Sequence, residues 1–212
     1  MRKILFFLIV FLISAEKSFS NTNKLITSSL GCSSEVSQSY LKNIDKLKIK
    51  KIEIDIHNYR SWIVNSTRIL TSSSRYIPER YKRRFDATIV VNYENGTRCV
   101  FQGRIRHHGD EKDHISLSDN TIIQSLDVHL NNGNIRGITK FKLLRPKTRG
   151  NLNDEILLTE LLRNLNYLAP RTIKVDARIN EAKSSMIFQE KAAKELLEFN
   201  KRREGPILEG DE

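Results

Sequence analysis

Residues 140–162, KFKLLRPKTRGNLNDEILLTELL, set a lysine inside an apolar strand-like run, follow it with a basic loop, and open a helix with two acids. A strand ammonium held by a helix carboxylate can orient phosphate groups. The same residue types also make a solvated strand edge and a complement to the helix dipole. Lys140 and Lys142 point to one side of the strand, Phe141 and Leu143 to the other. Lys142 lies deeper and is the better inner lysine. Glu155 precedes Leu158 by three residues and Leu162 by seven, so it shares their stripe, whereas Glu160 falls between the apolar positions. The spacing therefore pairs Lys142 with Glu155.

A second group lies upstream. RIRHHGDEKDH holds Arg104, Arg106, His107, His108, Gly109, Asp110, Asp113 and His114. The histidines and acids are metal-ligand types, but they crowd one polar loop rather than projecting from rigid elements, so no metal is expected. If the loop covers phosphates, Gly109 and the backbone N–H groups matter more than the imidazoles. Arg145, Lys147, Arg149 and Arg171 flank the helix and would gather anions at its N-terminus or simply solvate the surface. Cys32 and Cys99 allow one disulfide or two buried thiols. Asn65-Ser-Thr and Asn95-Gly-Thr match glycan acceptors.

The elements that must position these groups follow from periodicity. Alternation predicts strands at 47–56, 85–93, 98–106, 122–130, 138–145, 172–180 and 185–190. The Asn95-Gly96 pair predicts a hairpin. Helices are predicted over 58–70, 153–166 and 191–199, with Asn153 as a cap and a stop before Pro170. From the hairpin onward the order is strand, strand, loop, strand, strand, helix, strand, strand, helix. That is the order of a protein-kinase small lobe, where a lysine strand precedes a glutamate helix and two more strands reach a hinge.

The residues RIRHHGD, KFKLLRPKTR, NDEILLTELLRNLNYLAPRT, FQEK and LEFNKRREGP resemble those of the spore-coat CotH-type kinases, over about 100–212. The resemblance implies a secreted, atypical kinase-like fold: α+β, a mainly antiparallel twisted sheet with one packed helix. It implies a phosphate-side loop with Arg104, Arg106, Gly109 and Asp110, Lys142 as the nucleotide lysine, Glu155 as its partner and Glu190 at the hinge. ATP with Mg²⁺ would be the ligand and an envelope or secreted protein the substrate. Where related sequences commonly carry lysine and glycine, this chain has His129 and Asn166. No large lobe follows Glu190, so the chain is expected to be a piece of a longer kinase and to lack catalytic residues itself.

The 212 residues, 39% apolar and 29% charged, fit a globular protein. The N-terminus, MRKILFFLIVFLISAEKSFS, reads as a cleaved signal peptide over 1–20, which implies a periplasmic or surface location. Residues 21–45 read as a flexible leader, 46–84 as a strand and helix extension, and 85–212 as the small lobe. The net charge of +11 drops to +9 without residues 1–20, which hold Arg2, Lys3, Lys17 and Glu16. That excess favours anionic partners. Basic residues are dispersed without interleaved aromatics, so specific nucleic-acid binding is not expected, nor is a membrane span after signal removal. Two functions are in view: ATP binding in an exported kinase-like protein, or a non-catalytic module that binds anionic envelope material.

Overall fold

The alternating segments form strands whose apolar positions share one face. In β2 (Ile49–Ile56), β3 (Phe85–Tyr93) and β4 (Arg98–His107), residues such as Ile52, Ile54, Ile89, Val91, Phe101 and Ile105 pack in one core. Leu126, Val128, Phe141, Leu143, Val175, Ala177, Met186 and Phe188 join it from β7 (Leu126–Leu130), β8 (Lys140–Leu144), β9 (Thr172–Ile179) and β10 (Ala182–Glu190). The structure is a computed structural model that describes residues 32–33, 48–118, 121–150 and 153–207. The expected signal peptide, and the leader apart from Cys32 and Ser33, lie outside the described residues.

The strands run in the order β4-β3-β2-β9-β10-β8-β7, and β7 pairs back onto β4, which closes a seven-stranded barrel. The α+β class holds, but an open, kinase-like twisted sheet does not form. The reason lies in β4. Its hairpin partner β3 uses one edge, and Gly103 to His107 offer the other edge to β7. Pairing that edge leaves no open ladder along the wall. At Gly103 the backbone of His129 comes so close that an added Cβ would lie 2.6 Å from its carbonyl oxygen. All barrel pairs are antiparallel except β2 with β9. Residues 46–84, read as an extension, therefore supply a wall strand between β3 and β9.

The short β1 (Cys32–Ser33) lies against the start of β4, with Cys32 opposite Cys99, and the two cysteines form a disulfide. The Asn95-Gly96 hairpin forms as expected, with Gly96 at φ 84° donating to the Tyr93 carbonyl. The predicted 122–130 strand is broken at Ser125. Ser125 is where the segment changes partner: its N–H bonds to the His114 carbonyl on one side and its carbonyl accepts from the His108 N–H on the other. The break separates β6 (Thr121–Gln124), which pairs with β5 (Ile115–Ser118), from β7.

The helix that packs into the core is α1 (Tyr59–Thr71) rather than the one expected at 153–166. Asn58 caps it through the Ser61 N–H. Its Trp62 is fully buried, edge-on to Phe85 and stacked on His107 at 4.1 Å between centroids. Truncating such a ring costs about 3–5 kcal/mol. Asn65 is also buried and donates to the Tyr81 carbonyl, so of the two glycan sequons only Asn95 is exposed. By contrast α2 (Asp154–Asn164) lies beside β9 and buries Thr159, while Leu157, Leu158, Leu161 and the following Leu165 face solvent. The short α3 (Lys194–Phe199) buries Leu196 and Leu197. Among the described residues no helix is long and apolar enough to cross a membrane.

Candidate anion-binding site

The period of two that sends Ile105, Val128 and Phe141 inward sends their neighbours outward. Arg106, Asp127, Lys142 and Gln189 are successive register partners across β4, β7, β8 and β10. On the next rung Arg104, His129 and Lys140 line up in the same way. The outer wall at this point is a small field of cations around one acid.

That acid, Asp127, is 1% exposed. Its Oδ2 takes Lys191 Nζ at 3.0 Å and Arg106 Nε at 3.1 Å, with Arg84 at 3.5 Å. Burial works to raise the Asp127 carboxyl. The hydrogen bond and charge of Lys191, with Arg84 and His129, outweigh it and hold the group below its ordinary value. His129 Nε2 sits 3.1 Å from Asp127 Oδ1. Burial, joined by Arg84, Lys191 and Lys140, pushes His129 down to about 4 against the pull of Asp127, so the ring is neutral at pH 7. Its Nε2 then accepts from Arg84, 3.0 Å away, and the contact with Asp127 is not an ion pair. Asp127 Oδ1 has no hydrogen-bond donor among the described residues. Among the described residues three permanent cations thus surround one anion, a local excess of two positive charges, with Lys142, Lys140 and Arg104 beside them.

The 107–114 loop comes down beside Lys142. Burial, joined by the charges of Lys142, His114 and Arg149, lowers His108 to about 3. Those contributions mark a region where another proton is unwelcome and an anion is favoured. Gly109, at φ 98°, lies so close to the His114 ring that an added Cβ would come within 2.0 Å of it. Glycine is therefore what lets the loop close. Asp110 turns away, pairing with Lys82 at 2.7 Å.

Glu155 turns toward the sheet, as its position predicts; of its two leucine companions Leu162 is half-buried and Leu158 is exposed. Its carboxylate accepts from Gln189 Nε2, and Gln189 stands directly opposite Lys142 on the ladder. The helix acid and the strand lysine are thus joined to the same β10 residue, one by a side-chain bond and one by register. Glu190 points the other way. It is 2% exposed and grips Arg171 through Nε at 2.8 Å and NH2 at 2.7 Å, while its own N–H bonds to the Arg171 carbonyl.

The structure therefore brings Arg104, Arg106 and Lys142 onto one face, with Glu155 linked to it through Gln189. Asp110 and Glu190 lie apart from it. Gln189, expected near the hinge beside Glu190, instead joins this face, and Asp127, Arg84 and Lys191 are functional candidates that the sequence motifs do not mark. The sequence signal for Asp127 is one outward acid in a strand whose neighbours carry outward bases. Arg84 and Lys191 join only because the chain folds back at those points.

No group of three or more metal-ligand side chains occurs among the described residues. The acid at the face is enclosed by cations, so this donor set does not fit Mg²⁺. No protein-family model matches the sequence, and no curated protein matches it either.

Proposed function

We propose that this chain binds phosphate-bearing ligands, ATP first among them, on the outer face of β4, β7 and β8. The observation that carries the reading is the near-complete burial of Asp127 beneath more cations than it can neutralise. Arg106 and Lys142 flank it on the same rung and offer donors to phosphate oxygens. His108 and Gly109 bring a backbone loop to the same edge. The CotH-type resemblance supports a nucleotide in particular, and the N-terminal segment supports action after export. Phosphoryl transfer to an envelope or secreted protein needs a base and metal ligands that this face does not supply. Binding is the activity its geometry supports.

A second reading, attachment to anionic envelope material, draws support from the closed barrel and the chain's net charge. Isothermal titration separates the two. ATP, with and without Mg²⁺, is expected to bind with one-to-one stoichiometry, and Lys142→Ala to weaken it at least tenfold. Absence of nucleotide binding, with salt-sensitive retention on a polyanionic matrix, overturns the ATP reading in favour of the second.

A further inference from the structure

The strand registers set the cations of the outer wall in two flanks. Arg106 and Lys142 stand on either side of Asp127 on one rung, and Arg104 and Lys140 on either side of His129 on the next. β4 thus carries one flank, β8 the other, and β7 lies between them. Neighbouring strands are about 4.8 Å apart and alternate residues of one strand about 7 Å apart, so the four positions mark a rectangle of roughly 10 Å by 7 Å. Arg104 and Lys140 are exposed, while Arg106 and Lys142 are half-buried.

Charge and donors are distributed differently over this rectangle. Arg84 and Lys191 add charge at its middle but are turned inward: Arg84 reaches the Arg104 carbonyl, His129 and Asp127, and Lys191 reaches Asp127. The exposed donors, on Arg104 and Lys140, stand on opposite flanks. Six cations (Arg84, Arg104, Arg106, Lys140, Lys142 and Lys191) share the field with two carboxylates among the described residues, Asp127 and, opposite Arg104 on β3, Asp86. Four positive charges remain in excess. Glu155 and Glu195 bound the field where they accept from Gln189 and Thr139. The crowding shows at Arg84. Burial pushes its guanidinium below the ordinary value, and Arg106 and Arg104 add to this against the pull of Asp127.

We propose that this face takes a ligand with two phosphate groups held apart on a sugar or polyol, one seated on Arg104 and Arg106 and the other on Lys140 and Lys142. The uncharged, hydroxyl-bearing unit between them lies over β7, where Asp127 makes a third anion unwelcome. Pyrophosphate and the tail of ATP, whose phosphates are joined through single oxygens, reach one flank at a time. The proposal rests on the reading of this face as a phosphate site and narrows its ligand class.

Isothermal titration at one low salt concentration compares fructose 1,6-bisphosphate with pyrophosphate, probes of similar charge and different phosphate spacing. The bisphosphate is expected to bind at least tenfold tighter. Arg104→Gln on one flank and Lys140→Gln on the other should each bring it down to the level of pyrophosphate. Both side chains are exposed, so both variants should melt as wild type does. Vesicles carrying phosphatidylinositol 4,5-bisphosphate present separated phosphates on a lipid. Co-sedimentation with them, absent with phosphatidylserine vesicles of equal charge, assigns a lipid headgroup as the source, and its absence assigns a soluble ligand. If pyrophosphate and ATP bind as tightly as the bisphosphate, the proposal falls and the phosphate reading stands. If none of the three binds, both fall. A bisphosphate affinity that neither variant changes also overturns the proposal.

Discussion

Two ion clusters sit on the outer wall of the same barrel, and they are built differently. On β2 and β9, Arg178 bonds Glu53 at 2.8 Å and Asp55 at 3.0 and 3.2 Å, and Lys51 adds a contact to Glu53. Two bases meet two acids, partly exposed, and the account balances. On β4 and β7, Asp127 is, among the described residues, the one acid that Arg84, Arg106 and Lys191 share, and it is shut away from water. The first cluster satisfies its own electrostatics and has little left to offer a ligand. The second has cations to spare, and a bound anion would complete it.

The largest expected effect follows from removing the acid. Asp127→Ala leaves three crowded cations without a counter-ion and should cost about 3–5 kcal/mol, measured by urea unfolding. If the excess charge matters as argued, inorganic pyrophosphate should raise the melting temperature of the variant more than that of wild type. An equal effect on both proteins would break the contrast between the clusters.

Acid should also distinguish the two sides of the barrel. Burial depresses His107 and His108 to about 3 and His129 to about 4 in the fold. Each folded value lies below the ordinary 6.5, so the unfolded chain binds more protons as pH falls. The stability these neutral rings contribute is complete above about 6.5 and is lost as pH drops toward 4 and 3. His108→Gln should flatten the slope of stability against pH between 6 and 4 by about 1 kcal/mol per unit. An unchanged slope would show that His108 is not held neutral beside Lys142.

The smallest effect belongs to the balanced cluster. Glu53→Gln should cost about 0.5–1 kcal/mol, diminishing with added salt. A loss as large as that of Asp127→Ala would erase the difference between the two sites.

Much of the frame was legible beforehand. Alternation marked β3, β4, β8 and β9 as strands and Phe141 and Leu143 as the inward side of β8, and Asn95-Gly96 marked the hairpin. Glu155 was correctly picked as the inward acid of its helix. Of the expected apolar face, Ile156 and Leu162 are half-buried while Leu158, Leu161 and Leu165 are exposed, because a helix of mixed pattern has two plausible inward sides. The side that won buries Thr159 and gives Glu155 to Gln189. The split at Ser125 was hidden for a similar reason. It comes from a change of pairing partner at Ser125, from the His114 side to the His108 side, and leaves no trace in hydrophobic period.

Local pattern alone determined most of the barrel strands and the apolar side of β8, though not β5 or the split at Ser125. Only the tertiary structure decided that β7 closes onto β4 and that β2 lies parallel to β9, across more than a hundred residues of chain. It also placed Arg84 and Lys191 around Asp127. The physical reason is that a period of two specifies the face of a strand but says nothing about its neighbour. Neighbours are chosen by which edges remain to be hydrogen-bonded once the rest of the chain has packed.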